Sequence, residues 1–183
     1  MNKILFLFFL IASLQLIGQE ENKSSCKIYL KSGEVIETSW GKRKGKHFIH
    51  LNQLGSKPQK IKITSVDFVV MSDAEGALEK LRFLPVKGKR KIQTLHIVSL
   101  GSLELYKSKG TKKQNNSEVF YVKRKGDNAV SCLEGNDENK KSVLLSYAKD
   151  CPKIIEKINS EKYSVSKDIF STVKLFNIFC GSK

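Results

Sequence analysis

Cys151 stands between an aspartate and a proline in "YAKDCPKIIEKI" (Tyr147–Ile158), and a thiol at such a helix start can be a nucleophile, a metal ligand or half of a disulfide. A nucleophilic cysteine needs a base and an open pocket. The three histidines, His47, His50 and His96, all fall in predicted strands, and local sequence puts none of them beside Cys151. On the helix that follows, Cys151, Ile154, Ile155 and Ile158 share one stripe. On the last predicted helix Ile169, Val173, Phe176 and Cys180 do the same, at spacings of four, three and four. Packed as a hairpin around the loop 159–165, these helices turn both thiols inward. A Cys151–Cys180 disulfide is therefore expected rather than a catalytic thiol. The chain has four cysteines, so a second bridge would leave Cys26 with Cys132, tying the first strand to the last.

Metal chemistry has weaker grounds. In "HFIH" the spacing of three along a strand sends His47 and His50 to opposite faces, so they do not share one ion without a bulge. The cysteines are too far apart for a CxxC knuckle. No GxSxG, HExxH, P-loop or GxGxxG signature occurs, and "SLGSL" (Ser99–Leu103) reads as a strand bend. No cofactor and no metal are expected.

Charge is the remaining chemical signal. The formal net charge is +15, and the excess is concentrated in "GKRKGK" (Gly41–Lys46), "KGKRK" (Lys87–Lys91), "KSKGTKK" (Lys107–Lys113) and "KRK" (Lys123–Lys125). Clustered cations bind polyanions. The candidate contacts are Lys42, Arg43, Lys44 and Lys46 in the first run and Lys87, Lys89, Arg90 and Lys91 in the second. Trp40, Phe48, Tyr106, Phe120 and Tyr121 flank such runs, as stacking platforms would, although aromatics in short strands also build cores. Lysine far outnumbers arginine, which suits loose attraction more than bidentate base or phosphate reading. Anionic glycan, lipopolysaccharide or a membrane surface is the expected kind of partner, and specific nucleic-acid recognition is not.

These residues need elements to hold them. Met1-Asn2-Lys3 followed by the apolar run Ile4–Ile17 reads as a secretory signal peptide, with cleavage near Gly18. Lys23-Ser24-Ser25 before Cys26 does not fit lipidation, so no lipid anchor is expected. No later stretch reaches the roughly 20 apolar residues of a membrane span. Residues 19–25 read as a flexible N-terminus. The mature chain would keep a charge of +14 over 165 residues, the length of one compact domain. Export also suits disulfides, so the periplasm or the extracellular space is the expected location.

Residues 26–135 alternate in period two and are broken by glycine-containing basic turns, which predicts antiparallel strands in two meanders, 26–71 and 81–135. In the first, "CKIYL", "VIETSW", "HFIHL" and "IKITSVDFVV" each read as one strand, the last switching face near Thr64-Ser65 as a bulge would. Ser72 with Glu75 offers a capping box for a turn or two of helix through "SDAEGALEK". "LRFLPV", "IQTLHIVSL", "SLELYKS", "EVFYVKR" and "AVSCL" make the second group. Residues 136–183 change to helical spacing: capping candidates Asn136-Asp137 begin one helix, Asp150 with Pro152 a second and Ser166 a third. Strands followed by helices predict an α+β fold, with antiparallel meanders and about three C-terminal helices packed on the sheet.

In order and spacing, "SLELYKS", "VFYVKRKGDNAVSCL", "LLSYAKDCPKIIEKINSEKYS" and "DIFSTVKLFNIFC" resemble a family of uncharacterised exported proteins of Bacteroidota. That family's pattern runs through a "G-x-LY" strand, "D-C-P" and a terminal "Y-N-x-C". The resemblance covers Leu100–Cys180. Here Phe176-Asn177 stands for Tyr-Asn, and Ser102 separates Gly101 from "LELY". It implies export and a paired Cys151 and Cys180, and no activity. The expected function is thus a soluble exported module that binds or sits in the envelope without catalysis, with weak polyanion affinity. The alternative is a small hydrolase with a site outside the known motifs. A deep pocket gathering His, Asp or Glu, and Ser or Cys would favour the enzyme, and a basic face the binder.

Overall fold

The computed structural model describes residues 26–52, 55–72, 76–108 and 118–181. The expected signal peptide, the segment 19–25 and most of the lysine- and asparagine-rich loop after Ser108 lie outside these residues, as do positions 73–75 of the expected helical turn. Among the described residues eleven strands precede three helices. The strands are β1 (Cys26–Leu30), β2 (Val35–Thr38), β3 (Trp40–Lys44), β4 (His47–Leu51), β5 (Gln59–Lys62), β6 (Val66–Ser72), β7 (Leu78–Pro85), β8 (Ile92–Ser99), β9 (Leu103–Ser108), β10 (Val119–Arg124) and β11 (Ser131–Leu133). The helices are α1 (Asp137–Tyr147), α2 (Pro152–Asn159) and α3 (Val165–Phe179). Leu78–Lys80, at the end of the expected helical turn, open β7 instead.

The fold is α+β and the strands pair antiparallel, but not as two separate meanders. Eight strands form one sheet in the order β11-β10-β9-β8-β7-β6-β1-β2, and β3-β4-β5 form a second. The two expected groups fuse where β6 pairs with β7, Val69 opposite Leu81. The chain leaves the large sheet inside "VIETSW": the Thr38 hydroxyl bonds the carbonyls of Trp40 and Leu51, and Ser39 N donates to Leu51 O at 3.0 Å. It returns inside "IKITSVDFVV" through a 3₁₀ turn, Ile63–Ser65, where Ile63 N reaches Lys46 O and Lys31 N reaches Ser65 O. The face switch at Thr64-Ser65 is therefore a crossing between sheets, and not a bulge.

Strand alternation divides the core into three clusters. Ile28, Val66, Val69 and Phe83 of the large sheet pack with Phe48 and Ile63. Leu103, Leu105, Val122 and Leu133 carry the three helices on one face of β9–β11. The other face of these strands is enclosed because the sheet curls: Val86, just past β7, bridges Val130, just before β11, with Lys87 N to Val130 O at 2.9 Å and Val130 N to Pro85 O at 3.0 Å. Tyr106, Tyr121 and Leu95 fill that enclosure.

Asn177 docks α3 on β9. Its side chain accepts from Leu103 N at 2.7 Å and donates to Leu103 O at 2.9 Å, taking the place of a strand neighbour. Gly101 makes the room, since a Cβ there would lie 2.5 Å from the Asn177 amide. Asn177→Ala should cost about 1–3 kcal/mol by leaving two buried backbone groups unpaired. Urea unfolding measures this; an unchanged midpoint would mean that water satisfies both groups.

Candidate functional site

Cys151 is half of a disulfide. Its helix stripe is buried as expected, with Ile154, Ile158, Ile169, Val173 and Phe176 all in the helical core, and Cys151 is disulfide-bonded to Cys180 with Cα atoms 5.8 Å apart, inside the usual range. The N-cap of α2 is Cys151 itself, with Pro152 in the first position, and not Asp150. Asp150 turns outward toward Arg124, at 3.4 Å, which its place one residue before the cap allows. The second expected bridge does not form: Cys26 and Cys132 are free. They lie on β1 and β11, with five strands between them in the sheet order, and belong to different core clusters. Even by the shorter way round the curl, through β7 and β6, a spacing of about 4.8 Å per strand leaves them beyond disulfide reach. Burial pushes both thiols up to about 11.

The histidines also separate. His50 is buried with Nδ1 unpartnered among the described residues, whereas His47 sits on the other face of β4 and is half-buried. Among the described residues no group of three or more His, Cys, Asp or Glu side chains is placed to hold a metal, and no helix is long and apolar enough to cross a membrane.

The basic runs partly converge. A cleft of about 680 Å³ opens between the β3–β4 hairpin, the end of β5 and the β7–β8 turn, and Arg43, Lys46, His47, Lys62, Arg90 and Lys91 line it. No carboxylate lines this cleft, and among the described residues its five lysines and arginines form no ion pair. Strand geometry explains which residues take part. Arg43 points from β3 toward the large sheet, while its neighbours Lys42 and Lys44 alternate to the other face. Lys42 lies over Trp40, 5.1 Å from the ring centre. A tight turn at Gly45 (φ +61°) brings Lys46 back toward the cleft, and β4–β5 pairing sets Lys62 opposite His47.

Arg43 is the structured member. Its guanidinium donates to Gly45 O at 3.1 Å, Thr94 Oγ1 at 3.1 Å and Ile92 O at 2.7 Å, and it lies over the Phe83 ring. The side chain therefore pins the small sheet to β8. Burial lowers its pKa from the ordinary arginine value, yet arginine keeps its proton in proteins. All three acceptors are neutral, so the charge is held in place without being cancelled. An adjoining hollow of about 570 Å³ also reaches Arg43 but carries Glu79 and Glu134, so its charge is mixed.

The other expected contacts are spent elsewhere. Lys89 pairs with Glu134 at 3.0 Å. Lys87 donates to the Tyr147 hydroxyl at 2.9 Å, and that hydroxyl also bonds Ser131 Oγ at 2.7 Å. This Lys–Tyr–Ser trio is the arrangement an enzyme would exploit, but the Tyr147 hydrogen bond raises the Lys87 pKa, whereas a lysine base needs it lowered. Its visible role is to join the β7–β8 turn, β11 and α1. Phe48, Tyr106 and Tyr121 are buried in the core, so they offer no stacking platform.

One charged group lies where sequence pattern does not point. Glu104 and Lys123, opposite each other on β9 and β10, are enclosed on the curled face with Nζ and Oε2 2.9 Å apart. Arg82 reaches the same carboxylate at 3.6 Å, pairs with Asp67 at 2.8 Å and donates to the Tyr106 hydroxyl at 3.0 Å, which donates to Glu104 at 2.5 Å. Burial, then the Glu104 bond, pushes the Tyr106 pKa up. Two acids and two bases balance, which makes this a closed structural network.

The class defined by these features is an antiparallel α+β protein with a disulfide-pinned helical cap and a carboxylate-free cationic cleft. No family model, curated protein or solved structure matches the chain.

Proposed function

We propose that this chain is an exported, non-catalytic binding module, and that its ligand is an anion received by the cleft between the β3–β4 hairpin and the β7–β8 turn. The observation that carries this reading is the convergence of Arg43, Lys46, Lys62, Arg90 and Lys91, from three separate stretches of sequence, on one cleft without a carboxylate. Like charges gathered without counter-charges repel one another, and an incoming anion relieves that repulsion. The signal-peptide pattern of residues 1–18 and the Cys151–Cys180 disulfide both fit an oxidising compartment. An anionic envelope surface is within reach of such a protein.

The test is retention on immobilised heparin as salt rises. Neutralising Lys46, Arg90 and Lys91 together, each to glutamine, should lower the eluting salt clearly. Neutralising Lys149, Lys162 and Lys167, three exposed helical-region lysines that remove the same charge, should lower it little. Both triple variants should keep stability to within about 0.5 kcal/mol per site, as exposed substitutions do. Arg43 is left intact because it holds the two sheets together. Equal elution of the two variants would show that the protein behaves as a diffuse cation, and the cleft reading would fall.

A further inference from the structure

We infer that the cleft is built for an anionic amphiphile, a phosphate or carboxylate headgroup carrying an alkyl chain, rather than for an extended polyanion. This inference rests on the reading of the cleft as an anion site and adds the chemistry of the rest of the ligand. Most of the exposed lining is apolar: Ile63 and Ile92 are among its residues, beside the polar His47, Thr64 and Gln93, and Lys46, Lys62 and Lys91 have long aliphatic stems below their ammonium groups. A sugar or nucleotide chain pressed into mostly apolar walls would lose water from more hydroxyls than the few polar side chains there can pair, which costs free energy. An alkyl chain gains there what a polar chain loses. The volume of about 680 Å³ lies within the range of roughly 300–1,000 Å³ typical of small-molecule sites. No Phe, Tyr or Trp is among the lining residues, and the one aromatic ring there is the imidazole of His47.

The headgroup end has a ready anchor. Arginine has five N–H donors, and three of the Arg43 donors are held by neutral acceptors on β8 and the β3–β4 turn. Two remain on a guanidinium already fixed in place, so little conformational freedom is lost when an anion docks. Lys46, Arg90 and Lys91 are exposed at the rim and can close over the same headgroup.

Calorimetric titration of the oxidised, signal-free chain with inorganic phosphate, butyl phosphate and octyl phosphate, all below aggregation concentrations, tests this. Each buried methylene should tighten binding about 3- to 4-fold, so octyl phosphate should bind roughly a hundred-fold more tightly than butyl phosphate, with inorganic phosphate weakest. Raising salt should weaken every member by a similar factor and leave the ratio between chain lengths intact. Arg90→Gln with Lys91→Gln should do the same. Phosphatidylglycerol vesicles separate the two sources of such a ligand. Vesicle binding relieved by octyl phosphate would assign a lipid headgroup, and octyl phosphate binding without vesicle binding would assign a free single-chain amphiphile. Heparin and all phosphates binding without dependence on chain length would overturn the amphiphile and leave the anion site standing. Failure of heparin and of every phosphate to bind would overturn both.

Discussion

Glu104→Gln should lower the unfolding free energy by about 3 kcal/mol, the lower end of what removing one partner of a buried ion pair costs. For a chain of this size that corresponds to a fall in Tm of roughly 6–12 °C. The amide still accepts the Tyr106 hydroxyl, so the change removes charge and little else. Lys123, with a side chain only 7% exposed, then keeps a buried ammonium without its counter-charge, left with neutral acceptors: the amide oxygen and the carbonyls of Asp127 at 3.1 Å and Arg124 at 3.4 Å. Those two carbonyls are the reason to expect the lower end. Arg82 stays neutralised by Asp67. Combining Glu104→Gln with Lys123→Met should recover most of the loss, because a balanced pair can be exchanged for apolar atoms at little net cost. A melt of the single variant within a degree of the parent would show that water reaches Lys123 and that the curl is not closed around it.

That network also marks where reading along the chain stops working. "LELY" and "YVKR" alternate as half-buried strands should, and a period of two assigns Glu104 and Lys123 to the face opposite Leu105 and Val122. It does not say whether that face is open to water. The answer lies in the contact of Val86 with Val130, 44 positions apart, and no local pattern encodes it. The two sheet crossings have the same cause. The face switch at Thr64-Ser65 is visible as a break in alternation, but whether a break is a bulge or a departure to another sheet depends on hydrogen bonds to Lys46 and Lys31. In "VIETSW" even the break is hidden, since Thr38 and Trp40 both suit strands.

The helical segment is the opposite case. Its apolar stripes, its proline in the first turn of α2 and its Asn136 cap, which accepts from Asn139 N at 2.9 Å, are all set by residues within four positions of one another. The cleft falls between these extremes. The basic runs are plain in the sequence, and alternation separates Arg43 from Lys42 and Lys44. What cannot be read locally is that Lys62 joins them, because that depends on β5 pairing with β4. Nor does any run announce that Lys87 and Lys89 are occupied by Tyr147 and Glu134. A cation's availability is decided by its neighbours in space.

Loss of the Cys151–Cys180 bridge should cost about 3–4 kcal/mol, because the cross-link closes a loop spanning a separation of 29 residues and so removes freedom mainly from the unfolded chain. Cys180→Ser is the suitable variant, since Cys180 is half-exposed whereas Cys151 is buried and would leave a hydroxyl inside the core. The Tm should fall by roughly 6–16 °C, a loss that reduction of the parent protein should reproduce. The short helix α2 spans only eight residues, below the roughly 12–15 at which helices begin to hold without tertiary support. Its amides should therefore lose hydrogen-exchange protection before those of β9 and β10 do. Thiol counting checks the pairing. In denaturant without reductant two thiols should titrate, Cys26 and Cys132. In the folded protein at pH 8 neither should react quickly, because a pKa pushed up to about 11 leaves the thiol protonated and about one molecule in a thousand as thiolate. Four titratable thiols, or a peptide joining Cys26 to Cys132, would overturn the assignment and with it the account of what holds the helical cap in place.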